Sequence, residues 1–342
     1  MTAPVLAVDG LRKAYAIERG VLRRKVGEVV AVDDVSFSIL AGETLGLVGE
    51  SGCGKTTVGR CILRLVEPTG GKVQCMLPGG AIDVARAPQR ELGPFRRQAQ
   101  MIFQDPFASL NPRWRIGRIV AEPLVAQGAS RREATRQAID FLKTVELDPT
   151  VATRFPHELS GGQRQRVGIA RAMIVNPSLV IADEAVSALD VSVRAQIINL
   201  MLRLQRERGT AYLFISHDLS IVRHVCDRIC VMYLGRIVEQ GERDIVFGKP
   251  AHPYTRALLK SALVPDPARA NLTATLEGEV PSPAHPPSGC HFRTRCPFAR
   301  VRCAEEIPQL RTLSDGRAVR CHFAEALPEA TGGADPAVIA TV

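Results

Sequence analysis

The octapeptide Gly49-Glu50-Ser51-Gly52-Cys53-Gly54-Lys55-Thr56 fits the phosphate-binding pattern G-x-x-x-x-G-K-S/T and constrains the fold more than any other segment. It follows a short apolar run, Thr44–Val48, which predicts a strand, and it precedes a helix that we expect to begin near Lys55. Glycines let the backbone curl so that successive N–H groups face phosphate oxygens, and the helix adds the positive end of its dipole. Lys55 is expected to reach the β- and γ-phosphates of a nucleotide, and the Thr56 hydroxyl to bind Mg²⁺. The flanking strand and helix favour this interpretation over a glycine-rich loop with a solvated lysine.

A second candidate element is an apolar strand that ends in two carboxylates. The run Leu179–Ala182 has the length of a buried strand, and Asp183 and Glu184 follow it. Taken alone, such a strand end is common and usually only solvated. Behind a phosphate-binding loop, Asp183 is expected to hold Mg²⁺ directly or through water. Glu184 is expected to polarise a water that attacks the γ-phosphate.

A third element suggests that the nucleotide site is shared between two subunits. Ser160-Gly161-Gly162-Gln163 opens a predicted helix that runs to about Asn176, so its N-terminus forms a second anion site. One nucleotide does not need two such sites on one subunit. We therefore expect this segment to serve the γ-phosphate of a nucleotide held by another subunit.

Composition excludes several classes of protein. The 342 residues include 46% hydrophobic side chains and carry a net charge of +9, so a disordered chain is excluded. No apolar run approaches the roughly 18 residues needed to cross a bilayer, and Met1–Gly10 lacks the pattern of a secretory signal. We expect a soluble protein made in the cytoplasm. The positive charge alone does not choose between nucleic acid, anionic lipid and a phosphate ligand.

Four of the nine cysteines crowd into the last quarter of the chain, at Cys290, Cys296, Cys303 and Cys321. Zinc sites usually pair ligands two to four residues apart, whereas wider gaps suit an iron–sulfur cluster. Buried thiols and adventitious zinc are the alternatives. Four arginines nearby either offset the charge of a cluster or solvate a loop: Arg293, Arg295, Arg300 and Arg302. Elsewhere, Cys226 and Cys230 are four residues apart, which predicts buried packing on one helical face.

Taken together, these motifs resemble those of ATP-binding cassette (ABC) transporter ATPases. Besides the phosphate loop, the acidic strand and the Ser160–Gln163 signature, the chain has a glutamine at Gln104, a Ser187-Ala188-Leu189-Asp190 segment and a histidine at His217. They stand in the family's order. One departure is Ala185-Val186, where many cassettes have Pro-Thr, and it changes no catalytic atom.

The resemblance implies an α/β fold, namely a P-loop NTPase cassette. Its parts are a RecA-like core, an antiparallel β subdomain, an α-helical subdomain and a small cysteine-containing C-terminal extension. The implied boundaries are residues 1–263 for the nucleotide-binding domain, with the helical subdomain at about 106–165. The extension follows at 264–327, with a proline-rich connector at Val264–Gly289, and a flexible tail at 328–342.

The resemblance also implies ATP and Mg²⁺ as cofactors, with a role for each matching residue. The ATP-binding set comprises Tyr15 (stacked on adenine, with simple packing as the alternative), Gly49, Glu50, Ser51, Gly52, Cys53, Gly54, Lys55, Thr56, Thr57, Gln104 and Asp183. The catalytic set is Glu184, His217, Gln104 and Lys55, and the Mg²⁺ ligands are Thr56, Gln104 and Asp183. Residues that would contact ATP across the dimer interface are Ser160, Gly161, Gly162, Gln163 and Asp190.

Other segments resemble the ATPase subunits of oligopeptide and dipeptide importers: Phe103–Pro112, His252–Thr255, Gly278–Pro283 and Cys290–Pro297. Some members of that subfamily hold a 4Fe–4S cluster, which the resemblance extends to the four C-terminal cysteines. The basic insertion Arg19–Gly27 is more similar to the F-type than to the D-type subunit.

This subfamily resemblance implies an ATPase that energises peptide uptake from the cytoplasmic face of the cell (inner) membrane, where it is a peripheral subunit. The implied partners are a second, unlike ATPase subunit, an extracytoplasmic peptide-binding protein and two membrane permease subunits docked near Pro106–Phe155. No nucleic-acid partner is implied. Import of nickel, glutathione or oligosaccharide is the alternative, and a non-transport ABC ATPase is disfavoured because long coiled-coil insertions and a second cassette are absent.

Overall fold

The computed structural model describes residues 3–19, 24–77, 80–262 and 279–327. Residues 264–278 of the predicted connector and the whole predicted tail lie outside these ranges. The strands are β1 (Leu6–Arg19), β2 (Arg24–Ile39), β3 (Thr44–Val48), β4 (Gly70–Leu77), β5 (Gly80–Asp83), β6 (Ala99–Ile102), β7 (Leu179–Asp183), β8 (Ala211–Ser216), β9 (Arg228–Tyr233), β10 (Arg236–Glu242), β11 (Arg311–Thr312) and β12 (Ala318–Val319). The helices are α1 (Lys55–Ile62), α2 (Leu92–Gln98), α3 (Pro106–Ser109), α4 (Ile116–Ala126), α5 (Arg131–Thr144), α6 (Gly161–Met173), α7 (Val191–Arg208), α8 (Leu219–Val225), α9 (Arg243–Gly248), α10 (Pro253–Ala262) and α11 (Val301–Glu305).

Two β-sheets organise the chain. The larger has eight strands in the order β11-β12-β10-β9-β3-β8-β7-β6, and the smaller has four in the order β2-β1-β4-β5. Strands β9, β3, β8, β7 and β6 run parallel, whereas β10, β12 and β11 are antiparallel to their neighbours. The smaller sheet is antiparallel throughout. The predicted α/β class, with a parallel core and an antiparallel β part, is confirmed. Within the described ranges, every helix falls short of the length or the apolar character needed to cross a bilayer.

Alternating side chains of the central strands build an apolar core on each face of the larger sheet. In β8, Tyr212 and Phe214 pack into one core, and Leu213 and Ile215 pack into the other. Strands buried on both faces consist of nearly continuous apolar residues, which explains the run Ala211–Ile215. The polar residues that follow β3, β7 and β8 meet at one edge of the sheet, where parallel sheets bind ligands.

Helix ends follow the local signals in the sequence. Ser160 caps α6, because its Oγ accepts the Gln163 amide at 3.3 Å and the Gln163 side chain accepts the Ser160 amide at 3.1 Å. This helix ends at Met173 rather than near Asn176, which has a left-handed φ of 51°. Gly209, with φ of 64°, ends α7 as predicted.

The C-terminal segment is part of the larger sheet. Strand β12 pairs with β10, and the pairs are Glu239 with Val319 and Gln240 with Ala318. Beside this pairing, the Arg317 guanidinium lies 3.3 Å from the Glu239 carboxylate, and both side chains are buried. The extension is therefore continuous with the core sheet.

The prediction that Cys226 and Cys230 share a helical face is wrong. Helix α8 ends at Val225, Cys226 follows it, and Cys230 lies in β9. Both side chains are fully buried, as expected for packing. A spacing of four residues places side chains on one face of either a helix or a strand, so spacing alone did not identify the element.

Candidate active site

The phosphate-binding loop joins β3 to α1 and depends on glycine at two positions. Gly49 has φ of 153° and Gly54 has φ of 108°. A Cβ atom at Gly49 would lie 2.2 Å from the Met232 carbonyl oxygen, and one at Gly54 would lie 2.1 Å from the Ala31 carbonyl oxygen. The loop therefore folds against neighbouring backbone that leaves no room for a side chain.

Lys55 curls back over this loop. Its Nζ donates to the carbonyl oxygens of Gly49 at 2.8 Å and Glu50 at 2.9 Å, and its side chain is buried. Cys53 lies beneath, with its Sγ 3.8 Å from the same Nζ. Burial raises the pKa of the Cys53 thiol, so this residue is a neutral packing group within the loop.

Thr56 and Asp183 form an oxygen pair suited to Mg²⁺. The Thr56 hydroxyl donates to Asp183 Oδ1 at 2.8 Å, which joins the first turn of α1 to the end of β7. Burial raises the pKa of Asp183 above its ordinary value, although the hydrogen bond from Thr56 acts in the opposite direction. A hydroxyl and a carboxylate oxygen are the donors that Mg²⁺ takes in nucleotide sites, so these residues fit the ion.

Glu184 lies between two other predicted catalytic residues. Gln104 Nε2 donates to Glu184 Oε2 at 2.8 Å, and His217 Nδ1 lies 3.2 Å from Glu184 Oε1. Glu184 has a left-handed φ of 46°, and its amide donates to the Ile215 carbonyl oxygen at 2.9 Å. Glu184 lines the same cleft as residues of the phosphate loop.

These side chains line one cleft of about 430 Å³ together with the phosphate loop: Ala31, Ser51, Gly52, Gly54, Lys55, Thr56, Thr57, Gln104, Glu184 and His217. Tyr15 does not belong to this lining. It lies on β1, is 41% exposed and has Lys13 Nζ 4.7 Å from its ring centroid. The structure thus brings the four predicted catalytic residues to one cleft with much of the phosphate loop, and the adenine-stacking role of Tyr15 stays a prediction.

The Ser160–Gln163 segment lies apart from this cleft of the same chain. Ser160 and Gly161 are exposed at the N-terminus of α6, and Gly162 packs so closely that a Cβ atom there would lie 2.6 Å from Val193 Cγ1. Asp190 is also exposed and immediately precedes α7. An exposed, capped helix N-terminus presents free amides outwards, where a second molecule can reach them.

The phosphate loop also has two contacts that the sequence did not indicate. The Tyr254 hydroxyl accepts the Glu50 amide at 2.9 Å, and Arg295 of the C-terminal extension binds the Glu50 carboxylate. The segment His252–Thr255 had drawn attention only through its resemblance to peptide importers. No local sequence pattern predicts the contact between Arg295 and Glu50, because the two residues are 245 positions apart.

The four C-terminal cysteines line one small cavity, together with Phe292, Phe298 and Phe323. Burial raises the pKa of Cys290 and of Cys296 to about 11, so both are neutral thiols. Within the described part of the chain, no group of three or more His, Cys, Asp or Glu residues is arranged to hold a metal ion. The donor chemistry therefore fits an iron–sulfur cluster, whereas the arrangement of the atoms is not that of a metal site.

Of the four arginines near this cavity, Arg293 is the one among its lining residues. Arg295 is directed to Glu50, Arg302 pairs with Glu306 at 2.7 Å, and Arg293 bonds the Ser288 carbonyl oxygen at 2.9 Å. Arg300 lies over the Phe323 ring, with its guanidinium carbon 4.4 Å from the ring centroid. Three of the four thus have partners outside the cavity lining.

Comparison with known proteins gives matches along nearly the whole chain. Residues 32–187 match the family described as "ABC transporter", and residues 238–303 match "Oligopeptide/dipeptide transporter, C-terminal region". A probable peptide ABC transporter ATP-binding protein of Sinorhizobium fredii is 53% identical over 343 residues, which cover 100% of this chain and 96% of the relative. The oligopeptide transport ATP-binding protein AppF of Bacillus subtilis is 49% identical, covering 93% of this chain and 97% of the relative.

Among solved structures, the dimeric ATP-binding cassette MJ0796 in a post-hydrolysis state, bound to ADP and Pi, is similar with a TM-score of 0.60. It is 29% identical, and the similarity covers 70% of this chain and 98% of that chain. ATPases of this family bind ATP or ADP and Mg²⁺. The protein described here belongs to the ABC transporter ATPases and carries the C-terminal region of oligopeptide/dipeptide transporters.

Proposed function

We propose that this protein is the ATP-hydrolysing subunit of an ABC importer that energises the uptake of dipeptides or oligopeptides. The observation that carries the proposal is the position of Glu184, hydrogen-bonded by Gln104 and facing His217 at the cleft that holds the phosphate loop. The names of the relatives and the matching C-terminal region support peptides as the cargo. In this proposal, residues 1–263 form the nucleotide-binding domain, residues 106–165 its helical subdomain and residues 264–327 the extension, followed by a tail at 328–342.

Binding of the triphosphate begins with Lys55. Its ammonium group is held by two carbonyl oxygens, and the more strongly charged β- and γ-phosphates replace them as partners. Thr56, Asp183 and Gln104 supply oxygens for Mg²⁺, which offsets the charge of the phosphates. The amides of Ser51, Gly52, Gly54 and Thr57 complete the cradle at the N-terminus of α1.

Hydrolysis depends on Glu184 as the general base. Its carboxylate accepts the proton of an attacking water, and the amide of Gln104 fixes one of its oxygens. His217 lies beside the other oxygen and is placed to hold the γ-phosphate and the water. Gln104 follows β6 and precedes α3, so it senses the γ-phosphate at the junction with the helical segment.

The second half of each nucleotide site comes from another cassette. Ser160, Gly161, Gly162 and Gln163 contact the ATP of the partner subunit, and Asp190 connects the two sites. The exposure of the α6 N-terminus, away from its own cleft, supports this assignment. We infer a heterodimer with an unlike ATPase subunit, in which this chain is the F-type member.

The groove next to Gln104 is the proposed contact with the membrane subunits. A cavity of about 820 Å³ lies between the core and the helical segment, and Gln104, Phe103, Glu122 and Arg171 are among its lining residues. Two permease subunits would insert short cytoplasmic helices here, and the protein would then lie at the cytoplasmic face of the inner membrane. Peptide itself binds an extracytoplasmic binding protein and the permeases, and nucleic acid has no role.

We also propose that Cys290, Cys296, Cys303 and Cys321 hold a 4Fe–4S cluster. The support is the thiol chemistry and the shared cavity that all four residues line, and cluster binding would require the thiols to move into a ligand arrangement that they do not have here. A bound cluster requires thiolates and would supply a redox-active crosslink between the turns of the extension. Iron analysis and absorbance near 400 nm of anaerobically purified protein test this, and protein purified in that way without iron would refute it.

Uptake measurements test the transport assignment. The gene is replaced in its host by one encoding Glu184→Gln, and the uptake of a labelled dipeptide, of a labelled free amino acid and of nickel is compared. We expect dipeptide uptake to be lost while amino-acid uptake is kept. Unchanged dipeptide uptake would refute the assignment, and loss of nickel uptake in its place would favour that alternative cargo; labelled glutathione and a labelled oligosaccharide, assayed in the same way, test the other two.

A further inference from the structure

The C-terminal extension reaches the phosphate-binding loop through one arginine. Arg295 Nη1 donates to Glu50 Oε2 at 2.8 Å, and its Nη2 donates to Glu50 Oε1 at 3.0 Å. The Arg295 side chain is 4% exposed and that of Glu50 is 23% exposed. Two parallel bonds between a guanidinium and a carboxylate fix both charge and orientation, and this pair joins segments that are 245 residues apart.

An aromatic cluster holds the arginine in place. The Tyr233 hydroxyl accepts Arg295 Nη1 at 3.5 Å, and Phe292 packs against the rings of Tyr233 and Tyr254 with centroids 5.2 and 5.5 Å apart. Tyr254 in turn accepts the Glu50 amide. The extension therefore binds the Glu50 side chain directly through Arg295, and through Phe292 it packs against Tyr254, the α10 residue that accepts the Glu50 amide.

The charge of Glu50 explains why such control matters. Its backbone oxygen is bonded by Lys55, so its carboxylate belongs to the loop that must accept a triphosphate. An uncompensated carboxylate there repels the phosphates, and a paired one does so far less. In the described part of the structure, the buried Nε of Arg295 lacks a hydrogen-bond partner, so the guanidinium is directed towards Glu50 at a cost to its own hydrogen bonding.

We propose that Arg295 is a positioning residue of the nucleotide site: from the C-terminal extension, it neutralises Glu50 and holds the phosphate loop in the form that accepts the triphosphate. The inference rests on the proposed ATP site and adds to it a residue from outside the cassette motifs. This role differs from that of a salt bridge that only stabilises the fold. Loss of such a salt bridge would lower stability and leave nucleotide affinity unchanged.

A second salt bridge between the extension and the cassette provides the control. Arg320 is 5% exposed and its Nη2 binds the Asp34 carboxylate at 2.9 Å, so it too joins the extension to the cassette by an arginine–carboxylate pair. Its partner is not in the phosphate loop. Arg295→Gln and Arg320→Gln both remove a buried extension arginine that pairs with a cassette carboxylate, although Arg320 makes one bond to its carboxylate and further bonds to backbone carbonyl oxygens, and only Arg295 contacts Glu50.

The test measures the Kd of a fluorescent ATP analogue and the Tm for the full-length wild type, Arg295→Gln, Arg320→Gln and the double variant Glu50→Gln/Arg295→Gln. We expect Arg295→Gln to weaken binding about tenfold, and the double variant to recover most of that loss because the unpaired carboxylate is gone. Arg320→Gln is expected to lower Tm and to leave Kd within about twofold of wild type.

Two outcomes would overturn the proposal. One is a Kd for Arg295→Gln that equals that of Arg320→Gln at a similar loss of Tm, and the other is a double variant that binds no better than Arg295→Gln. Arg295→Lys, which keeps the charge without the two parallel bonds, serves if Arg295→Gln does not fold, and it should bind ATP less tightly than wild type. Failure of the proposed function is distinguishable, because the wild type would then show no ATP binding that Lys55→Ala abolishes.

Discussion

Protonation of one buried histidine is expected to make the stability of this protein depend on pH. His252 is 1% exposed and immediately precedes helix α10. Its Nδ1 accepts the Tyr254 amide at 3.1 Å, which requires this nitrogen to be unprotonated. Burial lowers the pKa of His252 from its ordinary value of 6.5 to about 3.

The sign and size of the effect follow from the two pKa values. Above pH 6.5 the histidine is neutral in both the folded and the unfolded chain. Below pH 6.5, the histidine is protonated in the unfolded chain, whereas in the folded chain it stays neutral down to about pH 3. The free energy of unfolding therefore falls as the pH falls. The slope is about 1.4 kcal/mol per pH unit, which makes a loss of about 2 kcal/mol between pH 7 and pH 5.

The variant His252→Asn isolates this contribution. Asparagine keeps an acceptor for the Tyr254 amide at the start of α10 but does not titrate. Urea denaturation at pH 7, 6 and 5, followed by circular dichroism, gives the free energy of unfolding for wild type, His252→Asn and His224→Asn, which changes an exposed histidine of α8. We expect the fall between pH 7 and pH 5 to be about 2 kcal/mol smaller in His252→Asn than in the other two. Parallel curves for all three would refute the reasoning.

Three further changes test the site and the core. Glu184→Gln should keep ATP binding and slow turnover roughly 100- to 10,000-fold, because the general base is lost; hydrolysis at the wild-type rate would reject Glu184 as that base. Gly54→Ala should abolish binding of a fluorescent ATP analogue, since its Cβ would lie 2.1 Å from a backbone oxygen, whereas Gly128→Ala, also at positive φ but in open space, should bind normally. Phe292→Ala should lower the free energy of unfolding by about 3–5 kcal/mol in urea denaturation, because the ring is 1% exposed between Tyr233 and Tyr254; a loss below 1 kcal/mol would contradict this packing.

Most of the candidate site could be predicted because its signals are local. A strand, a glycine-rich turn and a helix are adjacent in the chain at β3 and α1, and each has its own short-range pattern. Gln104, Glu184 and His217 lie just after the ends of β6, β7 and β8, three neighbouring strands of one sheet. Parallel order therefore brings them together without further information.

Other contacts could not be predicted because they depend on tertiary packing. Nothing near Arg295 in the sequence indicates that its guanidinium binds Glu50. The sequence would equally allow it to face the four cysteines that line the adjacent cavity. The left-handed turn at Glu184 was equally unpredictable, because glutamate has no preference for a φ of 46°. Such a conformation is imposed by its surroundings, here by the bond from its amide to Ile215.

The interior of the larger sheet contains a second charged contact between the extension and the cassette. The Glu239 carboxylate is fully buried and accepts the amides of Ala251 at 2.8 Å and His252 at 2.9 Å. Burial still raises its pKa, which is opposed by these amides and by Arg317 from the extension. A buried carboxylate is costly unless it is paired, so the cassette has an interior charge that only the extension neutralises within the described residues. The same extension that supplies Arg317 for the sheet supplies Arg295 for the phosphate loop, so the proposed role of Arg295 would couple nucleotide binding to docking of the extension.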